Sequence, residues 1–249
     1  MKLPLYVISL ALVFVCLLSA SAQKRRSATT SPKSAAGLMV IDETLSVLRT
    51  RPSLFAEPIQ RMRRGRKVQV LGTADADGVR FYRIVSAAGH AGWVQADALF
   101  GRSRNADEER LARLIAATDG FDQIELADAF LEMYPTSRFR APILLLFGDL
   151  IEDTATKLSR DATSRLSRRE MAASGAPVHS YYLNFNMLDR YRRLGVRFLF
   201  NSSTRTFHYD GASWKEIVAK FPDSTEAYEA NRRLDTLRAK LDKRLEVRN

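Results

Sequence analysis

The sequence predicts a multidomain chain: a small all-β barrel followed by an α-helical, repeat-type domain with an inserted β-hairpin. Three observations carry this expectation. Residues 37–101 hold short β-type segments divided by turn signals, whereas from Asp107 onward apolar residues recur at helical spacing. Within the helical part, residues 196–209 return to strand-like alternation. Two segments, ADAFLEMYPTSRFRA at 127–141 and KEIVAKFPDSTEAYEA at 215–230, also repeat one pattern, an apolar helix ending in aromatic-Pro-x-Ser before a new helix.

Residues 1–22, MKLPLYVISLALVFVCLLSASA, read as a signal peptide of bacterial type. Lys2 precedes an uncharged apolar run over 3–18, and Ala20-Ser21-Ala22 supplies the small-x-small spacing of a cleavage site. The alternative is an uncleaved anchor, although the run is marginal for spanning about 30 Å of hydrocarbon. Val15 disfavours lipid attachment at Cys16. Cleavage after Ala22 leaves a chain that begins at Gln23 and has no cysteine, since Cys16 is the single one. A periplasmic or extracellular chain of this kind has no disulfide and no thiolate for catalysis or metal binding, so packing must stabilise it. No second apolar run reaches spanning length, so no membrane span is expected after cleavage. Residues 23–36, QKRRSATTSPKSAA, lack aromatic and branched apolar side chains and read as a flexible linker.

Residues 37–101 form the barrel candidate. LSVL at 45–48, KVQVL at 67–71, VRFYRIV at 79–85 and AGWV at 91–94 are its strands; Arg51-Pro52-Ser53, Arg64-Gly65, Asp77-Gly78 and Gly89 are its turns. About five short strands of this kind hide their edges best by near-closure. TLSVLRTRPS at 44–53, RRGRKVQVLG at 63–72 and AGWVQADAL at 91–99 fall in the order and spacing of the bacterial SH3-like domain family, which this segment resembles. Ser46 stands where that family usually carries Asn, and Phe81-Tyr82 where a Trp is common. The resemblance implies a non-catalytic module that targets peptidoglycan or another protein. Trp93 is expected in the barrel core.

The helical domain is expected over 105–249. Leu111, Leu114 and Ile115 share one helix face; Ile124, Leu126, Ala127, Phe130 and Leu131 form the stripe of a second helix ending at Tyr134-Pro135. A third, starting between 137 and 142, carries Ile143, Leu144, Phe147 and Ile151. A further continuous helix bears Tyr181, Tyr182, Phe185, Leu188, Tyr191 and Leu194 and stops at Gly195. Residues 196–209 read as a β-hairpin around NSST, followed by helices at about 211–220 and 224–246, the last capped by Ser224. The two aromatic-Pro-x-Ser elbows resemble the tetratricopeptide-like repeats of bacterial envelope proteins.

The formal net charge of +11 comes mostly from arginine, and the densest cluster is Arg61, Arg63, Arg64, Arg66 and Lys67. Five like charges so close are either tolerated in water or offset by an anionic partner, which makes them the candidate ligand-binding residues. No nucleic-acid motif is present, so the expected partners are an envelope protein or peptidoglycan and other anionic cell-wall polymer. His90, His179 and His208 lack metal-ligand spacing, and there is no G-x-S-x-G elbow or phosphate loop, so no metal, cofactor or catalytic residue is expected. Asp107-Glu108-Glu109 suits a helix N-terminus, and Glu152-Asp153 reads as a solvated helix face. The expected function is a non-catalytic exported adaptor; the alternative is an accessory cell-wall hydrolase with converging carboxylates.

Overall fold

A computed structural model describes residues 37–86, 89–104 and 106–242. The signal peptide expected over 1–22 and the linker expected over 23–36 lie outside these residues. Seven strands make one antiparallel sheet: β1 Leu38–Val40, β2 Val47–Arg49, β3 Pro58–Arg61, β4 Lys67–Ala76, β5 Val79–Ser86, β6 Ala91–Gln95 and β7 Leu99–Phe100. Their order is β3-β2-β6-β5-β4-β1-β7. On β4, Val68 and Val70 are buried while Lys67, Gln69 and Leu71 face out, as the alternation requires. A register shift between Val70 and Gly72 marks a bulge, which bends the strand.

Strand β1 was not legible as a separate element, because the run Leu38–Ile41 is apolar without alternation. The structure gives the reason: β1 is covered on both faces. Leu38 and Val40 join Leu48, Met62, Val68, Ile84 and Val94 in the barrel core. Met39 and Ile41, with Phe100 of β7, enter a second core formed by the helices. All described residues belong to one compact unit, Ser34–Asn249. The sheet and the helices are therefore packed together through β1 and β7.

Trp93 corrects an expectation. Gly92 and Val94 are buried, so the alternation of β6 turns Trp93 to the opposite face, where it is only partly covered. Gly92 fixes that orientation, because a Cβ there would lie 2.7 Å from the Arg49 carbonyl oxygen.

The helices are α1 Asp107–Ala116, α2 Gly120–Met133, α3 Arg140–Arg165, α4 Arg168–Ser174, α5 Val178–Leu183, α6 Asp189–Arg192, α7 Ala212–Lys220 and α8 Thr225–Asp242. The hairpin is β8 Phe198–Asn201 paired antiparallel with β9 Thr206–Tyr209. The continuous helix expected over Tyr181–Leu194 is instead broken into α5, a 3-10 turn Asn186–Leu188, and α6. The Asn184 side-chain amide donates back to the Ser180 carbonyl at 2.9 Å, and Phe185 adopts an extended backbone. That local competition with the helical ladder lets Tyr182, Phe185, Phe200 and Phe207 meet as one aromatic cluster.

Glu152 also departs from expectation. Instead of facing solvent it is largely buried on α3, where its carboxylate accepts the Tyr209 backbone N–H at 2.8 Å and the Lys240 ammonium at 2.8 Å. His208 Nδ1 lies 3.0 Å from the same carboxylate. One side chain thus ties α3 to the hairpin and to α8. Burial pushes its pKa up, but these hydrogen bonds outweigh burial and hold it below the usual glutamate range. Nearby, Trp214 of α7 packs on Gly148 of α3, where a Cβ would meet the indole Nε1 at 2.3 Å.

The two elbows share a backbone pattern. Tyr134 N–H donates to the Phe130 carbonyl and Ser137 N–H to that of Tyr134; Phe221 N–H donates to Ile217 and Ser224 N–H to Phe221. Ser224 Oγ accepts the Ala227 N–H at 3.1 Å, which caps α8. Ser137 Oγ accepts the Phe139 N–H at 2.9 Å, one step ahead of α3.

Candidate functional site

The basic cluster lies on the end of β3 and the loop leading to β4. Gly65, at φ 80°, makes the turn, and its N–H donates to the Val40 carbonyl at 2.9 Å. Val40 N–H in turn donates to the Arg66 carbonyl at 2.9 Å, so the loop is stitched to the end of β1. This places Arg64 and Lys67 beside α2. Arg64 Nε donates to the Ile41 carbonyl at 3.1 Å, and its Nη1 lies 3.0 Å from Glu125 and 3.5 Å from Asp122. Lys67 pairs with Glu132 at 2.7 Å. Asp122, Glu125 and Glu132 recur along one side of α2, so an acidic stripe of this chain meets the cluster.

Arg61 donates to the carbonyls of Glu43 and Thr44 at 2.8 and 2.9 Å. Arg63 and Arg66 have no side-chain hydrogen bond or ion pair among the described residues. Three of the five cations are thus engaged by the chain itself, and Arg63 and Arg66, on either side of Arg64-Gly65, are not, among the described residues. The counter-charge was readable in principle, as carboxylates spaced by three and seven on α2. What was not readable was which strand would lie against them.

A second feature was missed as a site. Across three neighbouring strands, Arg49 of β2 lies opposite Trp93 of β6, which lies opposite Arg83 of β5. The outward face of the barrel therefore carries a row in which two arginines flank a partly exposed indole. Arg49 Nη1 donates to the Ala56 carbonyl at 2.7 Å, which holds the neighbouring loop. Such a row offers an apolar face for a sugar ring or peptide and cations for an anionic group.

A charged groove lies between α3 and α8, with a volume of about 540 Å³. Asp149, Glu152 and Asp153 stand on one wall, and Arg232, Arg233 and Lys240 on the other. Arg233 binds Asp149 through two contacts of 3.1 Å, and Lys240 binds Glu152. Asp149 and Glu152 are thus held in ion pairs. Among the described residues no group of three or more His, Cys, Asp or Glu is arranged to hold a metal ion, and no helix is long and apolar enough to cross a membrane.

The antiparallel sheet, with the GWV strand β6 between β2 and β5, agrees with the small barrel expected of this segment. Residues 44–99 match the bacterial SH3 domain family. The match ends before α1, so the helical part lies outside it. No curated protein and no solved structure matches the chain.

Proposed function

We propose that this chain is a non-catalytic, exported envelope adaptor whose SH3-type barrel binds cell-wall material and whose helical half docks a protein partner. The observation that carries this reading is the Arg49–Trp93–Arg83 row on a module that matches the bacterial SH3 domain. Arg63 and Arg66, whose side chains have no hydrogen bond or ion pair among the described residues, add a salt-sensitive contribution to the same interaction. The two aromatic-Pro-x-Ser elbows support a tetratricopeptide-like origin for the helical half. The pairing of Asp149 with Arg233 and of Glu152 with Lys240 leaves that groove without two free carboxylates facing each other, the arrangement an accessory cell-wall hydrolase needs, and this favours the adaptor.

The test is sedimentation of the intact protein with purified cell-wall sacculi. The adaptor co-sediments without releasing soluble sugar or peptide, and Arg63→Gln/Arg66→Gln removes the salt-sensitive part of the binding. Release of soluble fragments supports the hydrolase instead. Failure to sediment at low salt rules out the cell wall as ligand.

A further inference from the structure

We propose that a cleft lined by Asp128 binds a primary alkylammonium group, as on a short aliphatic amine or a lysine-type side chain, with Asp128 as the anionic acceptor. This goes beyond the envelope reading and does not depend on the barrel binding anything.

The cleft, about 210 Å³ in volume, lies where α2, α3, the segment Leu194–Arg197 and the start of α7 meet. Its apolar lining includes Leu131, Leu144, Phe147 and Val196. Three carboxylates and two guanidiniums share it. Arg140 is committed to Glu216, at 2.9 and 2.7 Å, and to the Leu131 carbonyl at 2.7 Å. Asp210 is held by Arg197 at 3.1 Å and by the Ala212 N–H at 3.0 Å. Asp128 alone has no hydrogen bond or ion pair among the described residues. Its neighbours on α2, Glu125 and Glu132, are the carboxylates already engaged by Arg64 and Lys67.

The cleft therefore presents one uncompensated negative charge beside apolar walls. Burial above all, then Glu132 and Glu125, raises the Asp128 pKa to about 6, so at neutral pH the carboxylate is ionised yet poorly solvated. A cation entering there relieves that cost, whereas an anion adds to it. The occupant must also be slender. At the volume a water takes in liquid, about 30 Å³, a cleft of this size holds a chain of about seven heavy atoms. An ammonium on a short methylene stem meets both demands, with its charge at Asp128 and its stem against Leu131, Leu144 and Phe147.

The experiment titrates n-butylammonium, n-butanol and Nα-acetyl-lysine methylamide into the intact protein at pH 7.5, reading the amide resonances of Leu131, Val196 and Ala212. Butylammonium is expected to shift them saturably and butanol is not. Asp128→Asn should weaken binding at least tenfold with an unchanged circular dichroism spectrum. Lowering the pH to 5 should weaken binding to the unaltered protein about tenfold, as Asp128 takes up its proton. This arm stands even if the variant misfolds. Binding of both amines assigns a lysine-type side chain as occupant, and binding of butylammonium alone assigns a free amine. An equal response to butanol, undiminished affinity in Asp128→Asn, or affinity unchanged between pH 7.5 and 5 overturns the proposal.

Discussion

Replacing Arg64 with alanine removes the side chain that joins the barrel loop to α2, and the structure sets the size of the loss. The Arg64 side chain is 15% exposed and Glu125 30%, so the pair is neither fully buried nor freely solvated. The substitution deletes the bond to the Ile41 carbonyl and the ion pair to Glu125. Hydrogen bonds involving a charged group contribute about 1.5–3 kcal/mol each, before allowance for solvent screening. Burial already raises the Glu125 pKa, with Arg64 the largest opposing influence. Without Arg64 that carboxylate stays half-buried and unpaired, so we expect Arg64→Ala to cost about 2 kcal/mol. Lys67→Ala, at a pair 69% and 54% exposed, should cost less than about 1 kcal/mol. Urea unfolding of the intact protein measures both, and a double-mutant cycle with Glu125→Gln should return a coupling of about 1 kcal/mol. A loss for Arg64→Ala no larger than for Arg63→Ala, whose side chain has no hydrogen bond or ion pair among the described residues, refutes the reasoning.

The other perturbations follow from burial and capping. Trp214→Ala should cost about 3–5 kcal/mol, because the ring is 2% exposed over Gly148. Trp93→Ala should cost only about 1–2 kcal/mol, because its ring is partly solvated; thermal melts followed by circular dichroism compare the two. Ser224→Ala should cost about 1 kcal/mol by leaving the Ala227 N–H uncapped, and unchanged urea stability would show that α8 starts elsewhere. The lowered pKa of Glu152 contributes stability above its unfolded value near 4.5, and that stability is lost as pH falls through the folded value. Glu152→Gln should therefore flatten the acid limb of the stability–pH curve, and an unchanged limb would show that the hydrogen bonds to His208, Lys240 and Tyr209 contribute nothing there.

Periodicity located most of the elements because each is half-buried: β4 alternates, α1 and α2 carry single stripes, and Ser224 caps where its spacing places it. The failures share a physical cause, which is contact between segments distant in sequence. β1 looked featureless because both of its faces are covered, one by the barrel and one by the helices. Trp93 looked like core because it is large and aromatic, yet the close approach of Gly92 to β2 turns it outward. Glu152 looked solvated because nothing local reveals that Tyr209 and Lys240 converge on it. The basic cluster was visible as charge, but the acids that meet Arg64 and Lys67 lie on α2, and Arg61 is held by the backbone carbonyls of Glu43 and Thr44. The Arg49–Trp93–Arg83 row exists only in strand register, which no local pattern specifies.

The claim that the outward barrel face binds the cell wall is tested most directly by the affinity of intact Trp93→Ala for purified sacculi, measured by sedimentation beside the unaltered protein. Loss of the indole between Arg49 and Arg83 should weaken binding at least tenfold while the circular dichroism spectrum is retained. Equal affinity in a folded Trp93→Ala protein would contradict the account and move the binding surface away from this row.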